Sequence, residues 1–350
     1  MITSLNEDRK LKRLHRILSD SERIVLLGHS APDGDAIGST MAFRIVLERL
    51  GKDVHVIYPD MIPPQLGVVP GAKDATDATR YPDFARQLLA DADAIICMDF
   101  NAPSRIGALA EPLNKAKAPK VLIDHHLNPA DFAEVSISRP EMSSTCFLLF
   151  KVLCGLELFT FIDKSAAECI LTGMMTDTGN FTYNTTDPDI HVVVAELMKL
   201  GADPQRIYRE QFETHSDNCL RLNSYALLNK MEVFKEDGAA LITLSREELN
   251  RFHYVKGDTE GLVNKPLAIP EVVYSCFLRE EDGYVKVSMR SLGSFPVNEL
   301  CHEHFGGGGH LNAAGGEFPG TLDEGAALFR SLLATNRRLY LGQHNVKTKK

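Results

Sequence analysis

The chain has 350 residues, a formal net charge of −9, 44% apolar residues and 24% charged residues, the composition of an ordinary globular protein with room for two domains. No apolar run approaches the roughly 20 residues that a membrane-spanning helix needs, and the N-terminus carries no signal-peptide core. The acidic balance argues against a protein that coats nucleic acid through a basic face, so a cytoplasmic protein is expected, able to grip a small nucleotide locally.

In chain order, MITSLNEDRKLKRLHRILSD reads as a charged amphipathic helix and RIVLL as a buried strand. GHSAPDGDAIGS follows, placing His29, Asp33 and Asp35 where a loop can aim one imidazole and two carboxylates at a single point. Like charges so close repel unless a cation sits between them. A turn followed by a helix N-cap accounts for Asp33 equally well. The alternation continues with AIGSTMAFRIVLERLG as helix, VHVIYP as strand, FARQLLADA as helix, then AIICMDF and KVLIDHH as strands. Such a βαβα pattern predicts a doubly wound, mainly parallel sheet with helices on both faces, whose ligands collect at the carboxyl ends of the strands.

Asp99 ends AIICMDF, and Asp124, His125 and His126 end KVLIDHH, all at that edge. Two adjacent histidines beside an acid are hard to explain as packing, because His is seldom buried without a partner. From about 143 to 231 the chain reads as helical, and GMMTDTGNF ends one of these helices at Asp177. A helix C-terminus stopped by Gly179 explains that stretch as well. Beyond 230, AALITLS, VVYSCFLRE and GYVKVSMRS alternate as strands, and EGAALFRSLLATNRRL closes the pattern as a helix before the polar tail HNVKTKK. The seven cysteines are scattered and read as reduced core side chains. CHEHF, with Cys301, His302 and His304, lacks the second pair that a zinc finger needs.

Together His29, Asp33, Asp35, Asp99, His125 and Asp177 form the kit of a dinuclear metal site. Carboxylate and imidazole ligands suit Mn²⁺ or Mg²⁺, whereas a structural zinc site would use thiolates. Two dications about 3.5 to 4 Å apart can hold a hydroxide and clamp both oxygens of an in-line displacement at phosphorus.

The ordered set PDGDAIGS, the aspartate of ICMDF, DHH and TDTGNF resembles the four motifs of the DHH phosphoesterase superfamily, and FGGGGHLNAAGG resembles the glycine-rich signature of the associated DHHA1 domain. Within it the chain is most similar to the nanoRNase/pAp phosphatase group. The resemblance implies a DHH domain over 1–215, a helical linker over 216–230 and a smaller α/β DHHA1 domain over 231–345, with the substrate in the cleft between them. It implies that His29 and Asp33 bind one ion, that Asp35, His125 and Asp177 bind the other, and that Asp99 bridges both. Asp124 then orients a histidine ligand, and His126 faces the phosphate. Two divalent ions are implied, Mn²⁺ first, with Mg²⁺ or Co²⁺ as alternatives. On the substrate side the implied residues are Arg290, Ser291, His310 and Asn312, with the backbone of Gly306, Gly307, Gly308 and Gly309 approaching a phosphate as a glycine loop can. A surface ion pair is the plain alternative for Arg290.

The implied reaction is hydrolysis of short single-stranded oligoribonucleotides, or of small phosphorylated nucleotides such as 3′-phosphoadenosine 5′-phosphate. Rival readings keep the chemistry and change the substrate to polyphosphate, pyrophosphate, or pApA and cyclic dinucleotides. A non-catalytic nucleotide-binding protein and a large RecJ-type exonuclease are further rivals. A homodimer is expected by analogy alone.

Overall fold

A computed structural model describes residues 5–347 and divides the chain into two compact units that meet between Thr214 and His215. In the first unit α1 (Asp8–Asp20) leads into β1 (Arg23–Leu27), α2 (Gly34–Arg49), β2 (Asp53–Tyr58), β3 (Thr76–Asp77), α3 (Pro82–Asp91), β4 (Ala94–Met98), α4 (Ala110–Lys115), β5 (Lys120–Asp124) and β6 (Val135–Ser138). Four helices follow: α5 (Thr145–Gly155), α6 (Lys164–Asp177), α7 (Asp189–Lys199) and α8 (Pro204–Tyr208), the last continuing as a π turn over Arg209–Glu213.

All six strands of this unit are parallel, in the order β3-β2-β1-β4-β5-β6. The strands are nearly continuous apolar runs because both faces are covered. Ile24, Leu26, Ile96 and Ile123 pack with α2, α5 and α6, while Val25, Leu27, Ile95 and Leu122 pack with α3 and α4. The order reverses between β1 and β4, and a doubly wound sheet opens its crevice at such a reversal. The short edge strands β3 and β6 are absent from the sequence reading, since neither TD nor VSIS carries an apolar run long enough to declare a strand.

The second unit holds α9 (Asp217–Tyr225) with a π turn over Ala226–Lys230, then β7 (Met231–Phe234), β8 (Ala239–Leu244), α10 (Arg246–Arg251), β9 (Tyr274–Glu281), β10 (Tyr284–Ser291), α11 (Val297–His304), β11 (Gly307–His310), β12 (Ala313–Phe318) and α12 (Leu322–Lys347). Its sheet runs β11-β12-β10-β9-β8-β7, antiparallel except for the β8/β9 pair. One face buries Val285, Val287 and Met289 beside Phe295, Leu300 and Phe329 of the α11 and α12 layer. On the other face α9 and α10 bury Leu222, Ala226 and Leu249 against Ile242, Leu244 and Phe277. The helical stretch 217–230 is therefore part of this unit's core. Of the polar tail, residues 348–350 lie outside the described residues. No helix among the described residues is long and apolar enough to cross a membrane.

Candidate metal centre

β1 and β4, the two strands at the reversal, deliver His29 and Asp99 just beyond their carboxyl ends, and β5 delivers His125. Asp33 is the N-cap of α2, its Oδ1 accepting from the amides of Asp35 and Ala36 at 3.0 Å each. The plain capping role and a place in the cluster thus coexist in one side chain. Asp35 sits in the first turn of α2, and Asp177 is the last residue of α6, followed by Gly179 in the left-handed region at φ 53°.

These six side chains fall into groups whose ligand atoms lie within 4.8 Å of one another. His29 Nε2 is 3.7 Å from Asp33 Oδ1 and 3.5 Å from Asp99 Oδ2. His125 Nε2 is 3.8 Å from Asp35 Oδ2, 3.7 Å from Asp99 Oδ1 and 3.4 Å from Asp177 Oδ2. The two oxygens of Asp99 therefore face different histidines. Asp99 is buried, and its backbone is held at φ 63°, a conformation uncommon for any residue with a side chain. His29 Nδ1 faces the Ser30 carbonyl at 2.8 Å and His125 Nδ1 the Met142 carbonyl at 3.1 Å. A carbonyl only accepts, so both Nδ1 atoms donate, and both Nε2 atoms turn to the carboxylates.

Among the described residues no lysine or arginine forms an ion pair with Asp33, Asp35, Asp99 or Asp177. Burial and then repulsion by Asp99 and Asp177 push the Asp35 carboxyl well above the ordinary range, and burial with the charges of Asp33 and Asp99 does the same to Asp177. Burial opposes charge on His29, yet the neighbouring carboxylates of Asp33 and Asp99 outweigh it and raise that pKa well above its usual value. His125 is raised too, burial being outweighed by Asp99 and Asp35. The Asp33 carboxyl moves down, its desolvation outweighed by the adjacent His29 imidazole. Crowded, buried acids whose ionised forms repel one another fit a divalent metal, whose charge would favour those forms.

That fit carries a sign. Raised folded-state values on His29, His125, Asp35 and Asp177 contribute stability below the unfolded values, and the contribution is lost as pH rises through the folded ones. As pH rises from the ordinary carboxylate range through neutrality the metal-free protein should lose stability, while metal supplies the missing charge, so the rise in Tm on adding Mn²⁺ should grow with pH. Scanning calorimetry in EDTA and in excess Mn²⁺ across that range reads this directly; a metal-induced rise that shrinks with pH would sink it.

Asp124 is fully buried and its Oδ1 lies 2.7 Å from His126 Nδ1. The histidine it orients is thus His126 rather than the ligand His125, whose Nδ1 is turned to Met142. His126 Nδ1 is also 3.8 Å from Asp99 Oδ1. The sequence reading missed Thr145 and Cys146. Their amides donate to Asp35 at 2.6 and 2.9 Å, and the Thr145 hydroxyl donates to Asp99 at 2.8 Å. Ser144 before an apolar run signals the helix start, but nothing in SSTCF points to an acid 110 residues earlier.

The substrate-side candidates divide. Arg290 lies on the sheet face away from α11 and α12, in one cross-strand row with Ala313 and His310. Neighbouring strands stand about 4.8 Å apart, which puts Arg290 and His310 roughly 10 Å from each other across a floor of one alanine. Arg290 has no carboxylate partner among the described residues; its guanidinium donates to the Met289 carbonyl at 2.9 Å. Ser291 points to the opposite, buried face, donating to the Phe295 carbonyl and accepting from Asn312 Nδ2 at 2.8 Å. Asn312 also donates to the Gly293 carbonyl, so both residues are engaged in closing the end of β10. Gly307, Gly308 and Gly309 form an edge strand with His310 instead of an open loop. A Cβ on Gly307 would overlap the Gly315 carbonyl, whereas Gly308 faces open space.

Comparison with known proteins adds the following. The DHH family, N-terminal domain, matches residues 23–174, and the DHHA1 domain matches residues 247–335. The crystal structure of an exopolyphosphatase-related protein from Bacteroides fragilis is similar at 44% identity and a TM-score of 0.94, over 97% of this chain and 99% of that one. The bifunctional oligoribonuclease and PAP phosphatase NrnA of Thermus thermophilus is 28% identical over 90% of each chain. The cyclic-di-AMP phosphodiesterase GdpP of Geobacillus thermodenitrificans is 25% identical over 86% of this chain but 45% of its own length.

Proposed function

The chain belongs to the DHH family and is a phosphoric ester hydrolase, and we propose that it hydrolyses short oligoribonucleotides to mononucleotides and releases phosphate from 3′-phosphoadenosine 5′-phosphate. The observation that carries the reading is Asp99, one buried carboxylate with an oxygen toward each histidine group. The relative named for both activities matches over 90% of each chain, whereas the cyclic dinucleotide relative is about twice as long as the part that aligns.

His29, Asp33 and Asp99 would hold one divalent ion, and Asp35, His125, Asp177 and the other oxygen of Asp99 would hold the second. Two ions bound there, Mn²⁺ foremost, would polarise the phosphate and acidify water, which is the chemistry hydrolysis needs. The chain's own residues do the rest. The Ser30 and Met142 carbonyls hold the Nε2 atoms of His29 and His125 toward the carboxylates. Asp124 holds the His126 ring by Nδ1 and so orients the imidazole that would face the phosphate. In the second unit Arg290 offers a guanidinium with no carboxylate partner among the described residues, suited to a terminal phosphate, with His310 in the same row and the room above Gly308 between strands of small residues.

A second reading, polyphosphate shortening, is favoured by one observation, the high likeness to the exopolyphosphatase-related protein. Both are tested by offering purified protein, with Mn²⁺, 5′-labelled RNA dimers to pentamers, 3′-phosphoadenosine 5′-phosphate, pApA and polyphosphate in parallel. Mononucleotides from the RNAs, and AMP with free phosphate from the bisphosphate, are expected. Inert RNA and bisphosphate beside shortened polyphosphate would transfer the reading to the second substrate.

A further inference from the structure

α5 begins against the metal centre, and its first three amides are all taken. Ser144 caps the helix by accepting from Phe147 N at 3.0 Å, while Thr145 N and Cys146 N bind the two oxygens of Asp35. The Thr145 hydroxyl adds a bond to Asp99 Oδ1. One residue, wholly buried, thus touches both the carboxylate that opens α2 and the one that ends β4. Asp99 has little else to set its rotation. Its backbone stands in the left-handed region, and its nearest imidazole nitrogens are 3.5 to 3.8 Å away, beyond good hydrogen-bond range.

From this geometry, and resting on the two-ion reading given above, we propose that Thr145 is a positioning residue that fixes the rotation of the Asp99 carboxylate, so that one oxygen serves each ion. A hydroxyl at Oδ1 leaves that oxygen a second lone pair for the His125 side and keeps Oδ2 toward His29. Without it the carboxylate is free to turn about its last bond, and the two ions lose their common ligand in its required orientation. Partners that orient a metal ligand without touching the metal commonly change affinity by 10 to 100-fold when removed.

The test is Mn²⁺ binding by calorimetric titration of wild type, Thr145→Val and Thr145→Ser, with metal-free melting of each and the electron paramagnetic resonance of the loaded proteins. Valine keeps the shape and removes the hydroxyl, and serine keeps the hydroxyl. Wild type and Thr145→Ser should bind two ions and show the spectrum of a coupled pair. Thr145→Val should bind at least one ion 10 to 100-fold more weakly and lose the coupled signal, even where its metal-free melting matches wild type. A valine variant that binds two ions as wild type does, or a serine variant as weak as valine, would overturn the role of Thr145 alone. A wild-type protein that binds no Mn²⁺ would overturn the two-ion reading and this role together.

Discussion

Asp99→Asn should lower turnover at least ~10³-fold, a barrier increase of about 4 kcal/mol at 1.36 kcal/mol per factor of ten, without unfolding the protein. Asparagine nearly matches the shape of aspartate and is among the residues that best tolerate the left-handed backbone found at position 99. The amide cannot offer an anionic oxygen to each of two cations, which is the property that the position of Asp99 between His29 and His125 supplies. In metal-free protein the substitution removes a charge that pushes up Asp35 and Asp177 and also one that favours charged His29 and His125, so melting in EDTA should change little. Asp99→Ala should match the loss of activity. A purified Asp99→Asn protein with wild-type activity in Mn²⁺ would remove Asp99 from the centre of the site.

The second large effect is expected at Gly173→Ala. α2 and α6 cross closely where Gly38 meets Gly173. A Cβ on Gly173 would overlap Cys146 Sγ and stand 2.7 Å from Asp35 Oδ1 and 3.0 Å from Asp35 Cα. Alanine raises helix propensity by up to about 1 kcal/mol, but overpacking costs about 1 to 3 kcal/mol or more when the wall cannot yield. Here the wall is a helix backbone and a carboxylate pinned by two amides. A fall in Tm of about 3 to 10 °C is expected for a domain of this size, with a loss of activity as Asp35 is displaced. Gly67→Ala, whose Cβ would meet only Lys73 at 3.8 Å, is the control that should change neither. A Gly173→Ala protein as stable and active as that control would show that the crossing has slack.

What the sequence discloses and what it hides follow from the range of the interactions. RIVLL, AIICM and VLID are strands on sight because a parallel strand buried on both faces must be apolar throughout, and an acid or histidine at the end of such a run stands out. The doubly wound sheet and the gathering of His29, Asp33, Asp35, Asp99, His125 and Asp177 were legible for that reason. Thr145 was not, because its task is set by acids far away in the chain and its own neighbours describe only a helix start. Which histidine Asp124 holds was not legible, since two adjacent histidines carry no sign of which ring turns back. GGGG reads as a loop in one dimension; only its pairing with β12 shows that Gly307 lacks a side chain so that the hairpin can close. Ser291 and Arg290 are neighbours in sequence, but strand alternation sends them to opposite faces, a point the period of two foretells once the strand is placed.

The most direct measurement is hydrolysis of bis(p-nitrophenyl) phosphate by protein stripped of metal in a chelator, dialysed and titrated with Mn²⁺. This ester carries no base, so it probes the centre without calling on the substrate-binding role proposed for Arg290 and His310. No hydrolysis without metal, and activity that climbs until two ions are bound per chain, is the predicted result. Hydrolysis that survives in EDTA, or that saturates with a single ion, would contradict a centre built around the shared carboxylate of Asp99.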